Sequence, residues 1–151
     1  MVQWTLFVDG ASRNNPGPSG AGIYIEKNGT LVIKDGYYLG KKTNNQAEYL
    51  ALLLGLFMLK EHVKQHEKIH IISDSQLLVR QLTGIYKVKE PSLQKLHAVC
   101  KEKMRDLNVT IAHVLRDENT QADAMANYGV DSKIFPPKPY LMMLKQYDIV
   151  L

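Results

Sequence analysis

Residues 2–9, VQWTLFVD, are rich in β-branched and aromatic types with little alternation of apolar and polar positions, the pattern of a strand covered on both faces. Apolar alternation resumes in GAGIYIEKNGTLVIKDGYYLG, residues 20–40, interrupted by Asn28-Gly29; that dipeptide between two such runs predicts a hairpin of two antiparallel strands. TNNQAEYLALLLGLFMLKEHV, residues 43–63, opens on Thr43 with Gln46 three positions later, a capping-box pattern, and is then apolar nearly all round. It predicts a central, buried helix. KIHIISDS, residues 68–75, supplies a fourth strand, and SQLLVRQLTG a short helix that Gly84 can close. A second helix is expected after Pro91, through SLQKLHAVCKEKM, with Leu93, Leu96, Val99 and Cys100 on its apolar side. NVTIAHVL, residues 108–115, makes strand five, and Asn119 to Tyr128 a last helix ending before Gly129. The order β-β-β-α-β-α-α-β-α implies an α/β fold with a mixed sheet and helical crossovers between its later strands. After Val130, KIFPPKP reads as stiff and extended, and YLMMLKQYDIVL is apolar enough to dock on something.

Composition narrows this picture. With 151 residues, 45% of them hydrophobic, the chain can bury a full core as one domain and is short for two. The apolar run Leu50 to Leu59 contains Gly55 and is about half the roughly 20 residues a membrane helix needs, so no membrane partner is expected. A single cysteine, Cys100, has no internal partner, and the start Met1-Val2-Gln3-Trp4 lacks a charged-then-apolar export pattern; a reducing, cytoplasmic setting is the expectation. Net charge of +4 favours a polyanionic partner without selecting one.

The chemistry lies in the acids. Asp9 and Asp74 each follow an apolar run directly, and a helical crossover between parallel neighbours would bring both to one edge of the sheet. Adjacent strands lie about 4.8 Å apart, so the carboxylates would repel unless a cation lay between them. Hard divalent cations take oxygen ligands, and a phosphoryl-transfer site holding two ions about 3.5–4 Å apart needs several carboxylates. Glu48, in NNQAEYLALL, and Asp123, in NTQADAMAN, are two further acids among residues expected to be buried, where an unpartnered charge is costly. Each acid also has an ordinary explanation: Asp74 as a helix cap, Asp9 as a turn residue, Glu48 and Asp123 as first-turn acids favoured by the helix dipole.

Taken together, FVDGASRNNPGPSGAG, TNNQAEYLALLLGL, ISDSQLLVRQL and HVLRDENTQADAMAN, in this order, resemble the type 1 ribonuclease H family over residues 2 to about 129. The resemblance implies a ribonuclease H-like fold, a five-stranded mixed sheet with its first three strands antiparallel. Residues 1–130 would then be the catalytic domain and 131–151 a docked tail. It implies that Asp9, Glu48, Asp74 and Asp123 are both the metal ligands and the catalytic cluster, holding two Mg2+ or Mn2+ ions and hydrolysing the RNA strand of an RNA/DNA hybrid. It further implies that Gly10, Ala11, Ser12 and Asn15 line the minor groove, where a Gly/Ser/Asn segment can approach the 2'-hydroxyl that separates RNA from DNA. Asn44, Asn45 and Gln76 would reach bases or sugars, and Lys41 and Thr43 a phosphate of the DNA strand. A monomer with no obligate protein partner is expected.

The chain departs from that pattern in two places. Where many family members carry a mobile histidine it has Arg116-Asp117-Glu118, and an auxiliary role falls to Asp117 or Glu118, with Asn119 beside them. In place of a long basic arm it has LTGIYKVKEPS with Lys87 and Lys89 alone, so hybrid binding should be weaker and strongly salt-dependent. His62, His66, His70 and His97 have no ligand arrangement with one another or with Cys100. A hybrid-binding module without catalysis, the ribonuclease H part of a retroelement, and a DNA-transposition or Holliday-junction enzyme of the same superfamily stand as alternatives.

Overall fold

Asn28 and Gly29 both adopt positive φ (50° and 83°), the two left-handed residues of a type I′ hairpin turn. They join β2 (Gly17–Lys27) to β3 (Thr30–Lys42), and β1 (Gln3–Ser12) lies antiparallel on the other side of β2. The computed structural model describes residues 1–151. β4 (Lys68–Ser73) and β5 (Asn108–His113) run parallel to β1, which completes a five-stranded mixed sheet of order β3-β2-β1-β4-β5. Fold class and the antiparallel first three strands agree with the sequence expectation.

α1 (Asn44–Leu59) starts where the sequence places it: the Thr43 hydroxyl accepts from the Gln46 N–H (3.2 Å) while the Gln46 side chain accepts from the Thr43 N–H (2.9 Å). Its leucines pack with Leu6, Val8, Ile23, Ile25, Ile69 and Ile71 of the sheet in one core. α2 (Gln76–Leu82) and α3 (Pro91–Arg105) form the crossover between β4 and β5, and Gly84, at φ 82°, follows the end of α2.

Three features differ from the sequence reading. β1 does not stop at Asp9: Gly10, Ala11 and Ser12 continue the ladder opposite Ala21, Gly20 and Ser19, so residues 10–19, between the two runs read as strands, are mostly paired strand. α4 (Thr120–Ser132) runs past Gly129 and ends at Lys133, φ 59°. Gly129 marks a close approach instead of a stop, since a Cβ there would lie 2.4 Å from the Tyr37 carbonyl oxygen. Gly22 plays the same part on β2, where a Cβ would fall 2.1 Å from the Ala122 carbonyl oxygen. These glycines let α4, which carries Asp123, settle on the sheet. Finally, the apolar C-terminal segment is helical, α5 (Lys138–Gln146). Tyr140 and Leu144 are fully buried in the main core, and the Tyr140 hydroxyl donates to the Leu50 carbonyl (2.8 Å).

Candidate active site

The last residue pair between β1 and β4 is Val8 with Ser73. Beyond it β4 ends while β1 continues, paired with β2 alone, and Asp9 and Asp74 are the next residue on each chain segment. A crevice past the carboxyl ends of parallel strands is where open α/β sheets hold their ligands. α1 enters that crevice side-on. Glu48, one turn inside its N-terminus, accepts a hydrogen bond from the Gly10 N–H, and Gly10 has no side chain to hold α1 off: a Cβ there would lie 2.3 Å from the Ala47 backbone.

One carboxylate oxygen each from Asp9, Glu48 and Asp74 lie within 4.8 Å of one another. Asp9 is 5% and Glu48 9% exposed. Burial, then Glu48 and Asp74, push the Asp9 carboxyl far above the ordinary carboxylate range. Glu48 is pushed up to about 8, again by burial first, with the Gly10 N–H opposing and Asp74 adding to the rise. No basic side chain forms an ion pair with any of these three acids. Three hard oxygen donors, crowded and uncompensated, fit a divalent cation.

A cavity of about 410 Å³ surrounds the cluster, lined by Asp9, Glu48, Asp74 and Asp123, by Gly10, Ala11 and Ser12 of β1, by Asn44 and Asn45 of α1, and by Arg13, Arg116 and Asn127. Asp123 faces it from α4, 3.9 Å from the Arg116 guanidinium. The strand turn and α1 interlock at the rim, where the Asn44 side chain accepts from the Ser12 N–H (3.0 Å) and the Asn15 side chain from the Asn44 N–H (2.8 Å). Asn15, Lys41, Thr43 and Gln76 lie outside the lining. Thr43 is occupied as the helix cap, Lys41 is exposed beside Lys42, Lys95 and Ser92 in an adjoining cleft, and Gln76 is the exposed first residue of α2.

The loop before α4 is arranged differently from the sequence reading. Asp117 and Glu118 are exposed on a single 3-10 turn and are not among the residues lining the cavity, whereas Arg116 of the same turn is. Position in the sequence does not separate Arg116 from its acidic neighbours; the turn's placement at the cavity does. Asn119 is buried; its amide donates to the Val8 carbonyl (2.9 Å), next to Asp9, while its Oδ1 has no partner.

A family model described as reverse transcriptase-like matches residues 7–129. The ribonuclease HI of Halobacterium salinarum is 37% identical over 127 residues, which cover 83% of this chain and 63% of that protein. The crystal structure of RNase H1 from the same halophilic archaeon has a TM-score of 0.81 at 36% identity, covering 86% of this chain and 98% of that one. The chain belongs to the type 1 ribonuclease H family. Among its structural relatives, the N-terminal RNase H domain of Rv2228c from Mycobacterium tuberculosis has a TM-score of 0.81 at 32% identity, covering 88% of this chain and 96% of that one. LC11-RNase H1, solved in complex with RNA/DNA hybrid, has a TM-score of 0.79 at 33% identity, covering 85% and 97%. The chain spans 63% of the length of the archaeal ribonuclease HI and 34% of that of the mycobacterial bifunctional protein. No helix is long and apolar enough to cross a membrane.

Proposed function

We propose that this chain is a divalent-metal-dependent endonuclease that hydrolyses the RNA strand of RNA/DNA hybrids. The observation that carries this reading is the convergence of Asp9 and Glu48, both buried, with half-buried Asp74, none of them paired with a basic side chain, beside the Gly10-Ala11-Ser12 segment in a family that includes a hybrid-bound member. Asp9, Glu48, Asp74 and, from α4, Asp123 would hold two Mg2+ or Mn2+ ions. When bound, such ions supply water activation and stabilisation of charge on the scissile phosphate and the departing 3'-oxygen.

The protein's own contribution is placement. The Gly10 N–H fixes Glu48, and Asn119 ties the loop before α4 to the Val8 carbonyl at the base of the site. Gly10, Ala11, Ser12 and Asn44, with Asn15 and Asn45, take the minor groove and its 2'-hydroxyls, and Gln76 a base or sugar. Lys41 and Thr43 take a DNA-strand phosphate. Arg116, exposed and next to Asp123, presents a guanidinium to the RNA phosphate where other members carry histidine, and so replaces Asp117 and Glu118 as the auxiliary residue. Cys100, buried and unpaired, suits the cytoplasm, and we take the chain to act as a monomer.

The test is cleavage of end-labelled RNA/DNA, RNA/RNA and DNA/DNA duplexes with magnesium, manganese or chelator. We expect cutting of the hybrid's RNA strand alone, dependent on metal, and reduced by about 10³-fold or more in Asp9→Asn. A folded parent chain that binds hybrid and leaves it intact under every metal condition would instead make it a binding module.

A further inference from the structure

A phosphodiester strand crossing this cavity meets four acids, and only two cations line it: Arg116, beside Asp123, and Arg13. Arg13 stands in the turn between β1 and β2, directly after Ser12, and reaches across to α4. Its guanidinium donates to Asp131 Oδ1 at 2.6 Å and to Asn127 Oδ1 at 3.5 Å, while the Asn127 amide donates to the Asp123 carbonyl at 3.0 Å. Asp123, Asn127 and Asp131 recur every four residues and so share one face of α4. At about 1.5 Å rise per residue, Asp131 lies roughly 12 Å from Asp123 along the helix. That is the distance of a few nucleotides along one strand, which advances about 3.4 Å per phosphate.

We propose that Arg13 grips a phosphate of the RNA strand a few nucleotides from the cut, exchanging its Asp131 partner for the substrate. This inference rests on the hybrid-cleaving reading above and adds a specific strand contact to it. The Arg13–Asp131 pair is held by two exposed side chains, 47% and 65% exposed. Such pairs are weak and screened by salt, so a phosphate, which accepts a guanidinium's two parallel N–H groups, can replace the carboxylate. Strand geometry points the same way: Gly10, Ala11 and Ser12 line the cavity in succession, and Arg13 is the next residue along that path. Asp131 then has a role as well. It parks the guanidinium at the rim in the free protein and competes with the incoming strand.

The experiment measures hybrid binding by anisotropy of a labelled RNA/DNA duplex, with cleavage in the same buffers, across a salt series for the parent, Arg13→Ala, Arg13→Lys and Asp131→Asn. Arg13→Ala should weaken hybrid binding about tenfold at low salt, the loss falling on KM more than on kcat, and lower the slope of log K against log salt by about one. Arg13→Lys should recover the slope and only part of the affinity. Asp131→Asn should move the other way, tightening binding about two- to threefold. A merely structural clasp predicts that Arg13→Ala and Asp131→Asn behave alike, each lowering thermal stability slightly with the salt slope unchanged; that result would overturn the proposal while leaving hybrid cleavage by the parent intact. A parent chain that neither binds nor cuts hybrid removes both readings together.

Discussion

Glu48 and Tyr49 are neighbours in one helix turn, both buried, and they occupy opposite electrostatic situations. The Tyr49 hydroxyl donates to Gln81 Oε1 at 2.7 Å in a buried pair, and its ring meets His97 edge-on. Glu48 receives the Gly10 N–H but faces Asp9 and Asp74, and its carboxyl is pushed up by burial and by Asp74. Two positions one residue apart on a helix point about 100° apart, enough to aim one into the apolar core and the other into the crevice beyond β4. The contrast separates two uses of a buried polar group. A satisfied one fixes packing, whereas an uncompensated one stores an unfavourable interaction that a cation can relieve. Substitutions on the two sides should therefore move stability and activity in different directions.

The largest stability effect should come from the satisfied side, at the far end of its core. Leu144 of α5 is fully buried in the cluster that contains Tyr49, Leu50 and Tyr140. Leu144→Ala should destabilise by about 3 kcal/mol through lost burial and the residual cavity, read as a lower urea midpoint. Cleavage of hybrid at a temperature well below melting should persist. A midpoint within experimental error of the parent's would mean that residues 131–151 are appended to the fold and not integral to it.

On the uncompensated side the sign reverses. A carboxyl whose pKa is higher in the folded than in the unfolded chain binds more protons when folded, so its contribution is harmless near pH 4 and becomes destabilising as pH rises toward the folded value. For Glu48 that window runs from its ordinary 4.5 to about 8; Asp9, raised in the same direction, widens it. In chelator, Glu48→Gln should therefore be more stable than the parent by about 2 kcal/mol at pH 8, with the gap closing toward pH 4. Saturating magnesium should raise the parent's melting temperature far more than the variant's, and the variant should cut hybrid poorly. A variant less stable than the parent in chelator at pH 8 would mean that the hydrogen bond from Gly10 outweighs the crowding of the acids.

How much of this was legible in the sequence depends on whether a feature is local. Asn28-Gly29 and the Thr43/Gln46 capping box are complete within a few residues, and both form as read. The meeting of Asp9 with Asp74 follows from two short runs joined by a helical crossover, which makes them parallel neighbours ending at one edge of the sheet. Features set by a neighbour across space were not legible. Gly10 follows the run read as strand and is itself a strand position pressed by α1; Gly22 falls inside a predicted strand, but nothing local shows that α4 presses on it; Gly129 looks like a helix stop and is an inter-element contact. The C-terminal segment reads as apolar, but its helix forms against a core that the sequence does not display. Arg116 and its acidic neighbours differ only in which way a single 3-10 turn faces them.

The smallest effect tests the comparison at its sharpest point. Tyr49→Phe keeps the ring, its edge contact with His97 and nearly all of the buried area, removing one hydroxyl that donates to Gln81 Oε1. Gln81 is 6% exposed, so its oxygen would lose a buried donor, and an unsatisfied buried acceptor costs about 1–2 kcal/mol. The loss should be nearly flat between pH 5 and 8, because no carboxylate takes part, and should leave the magnesium-induced rise in melting temperature unchanged. Combined with Glu48→Gln, the two substitutions should offset each other at pH 8 in chelator and add as independent changes, since the hydroxyl and the carboxylate contact no common partner. Strong non-additivity would show that α1 transmits strain between crevice and core, and that Glu48 and Tyr49 form one unit instead of two.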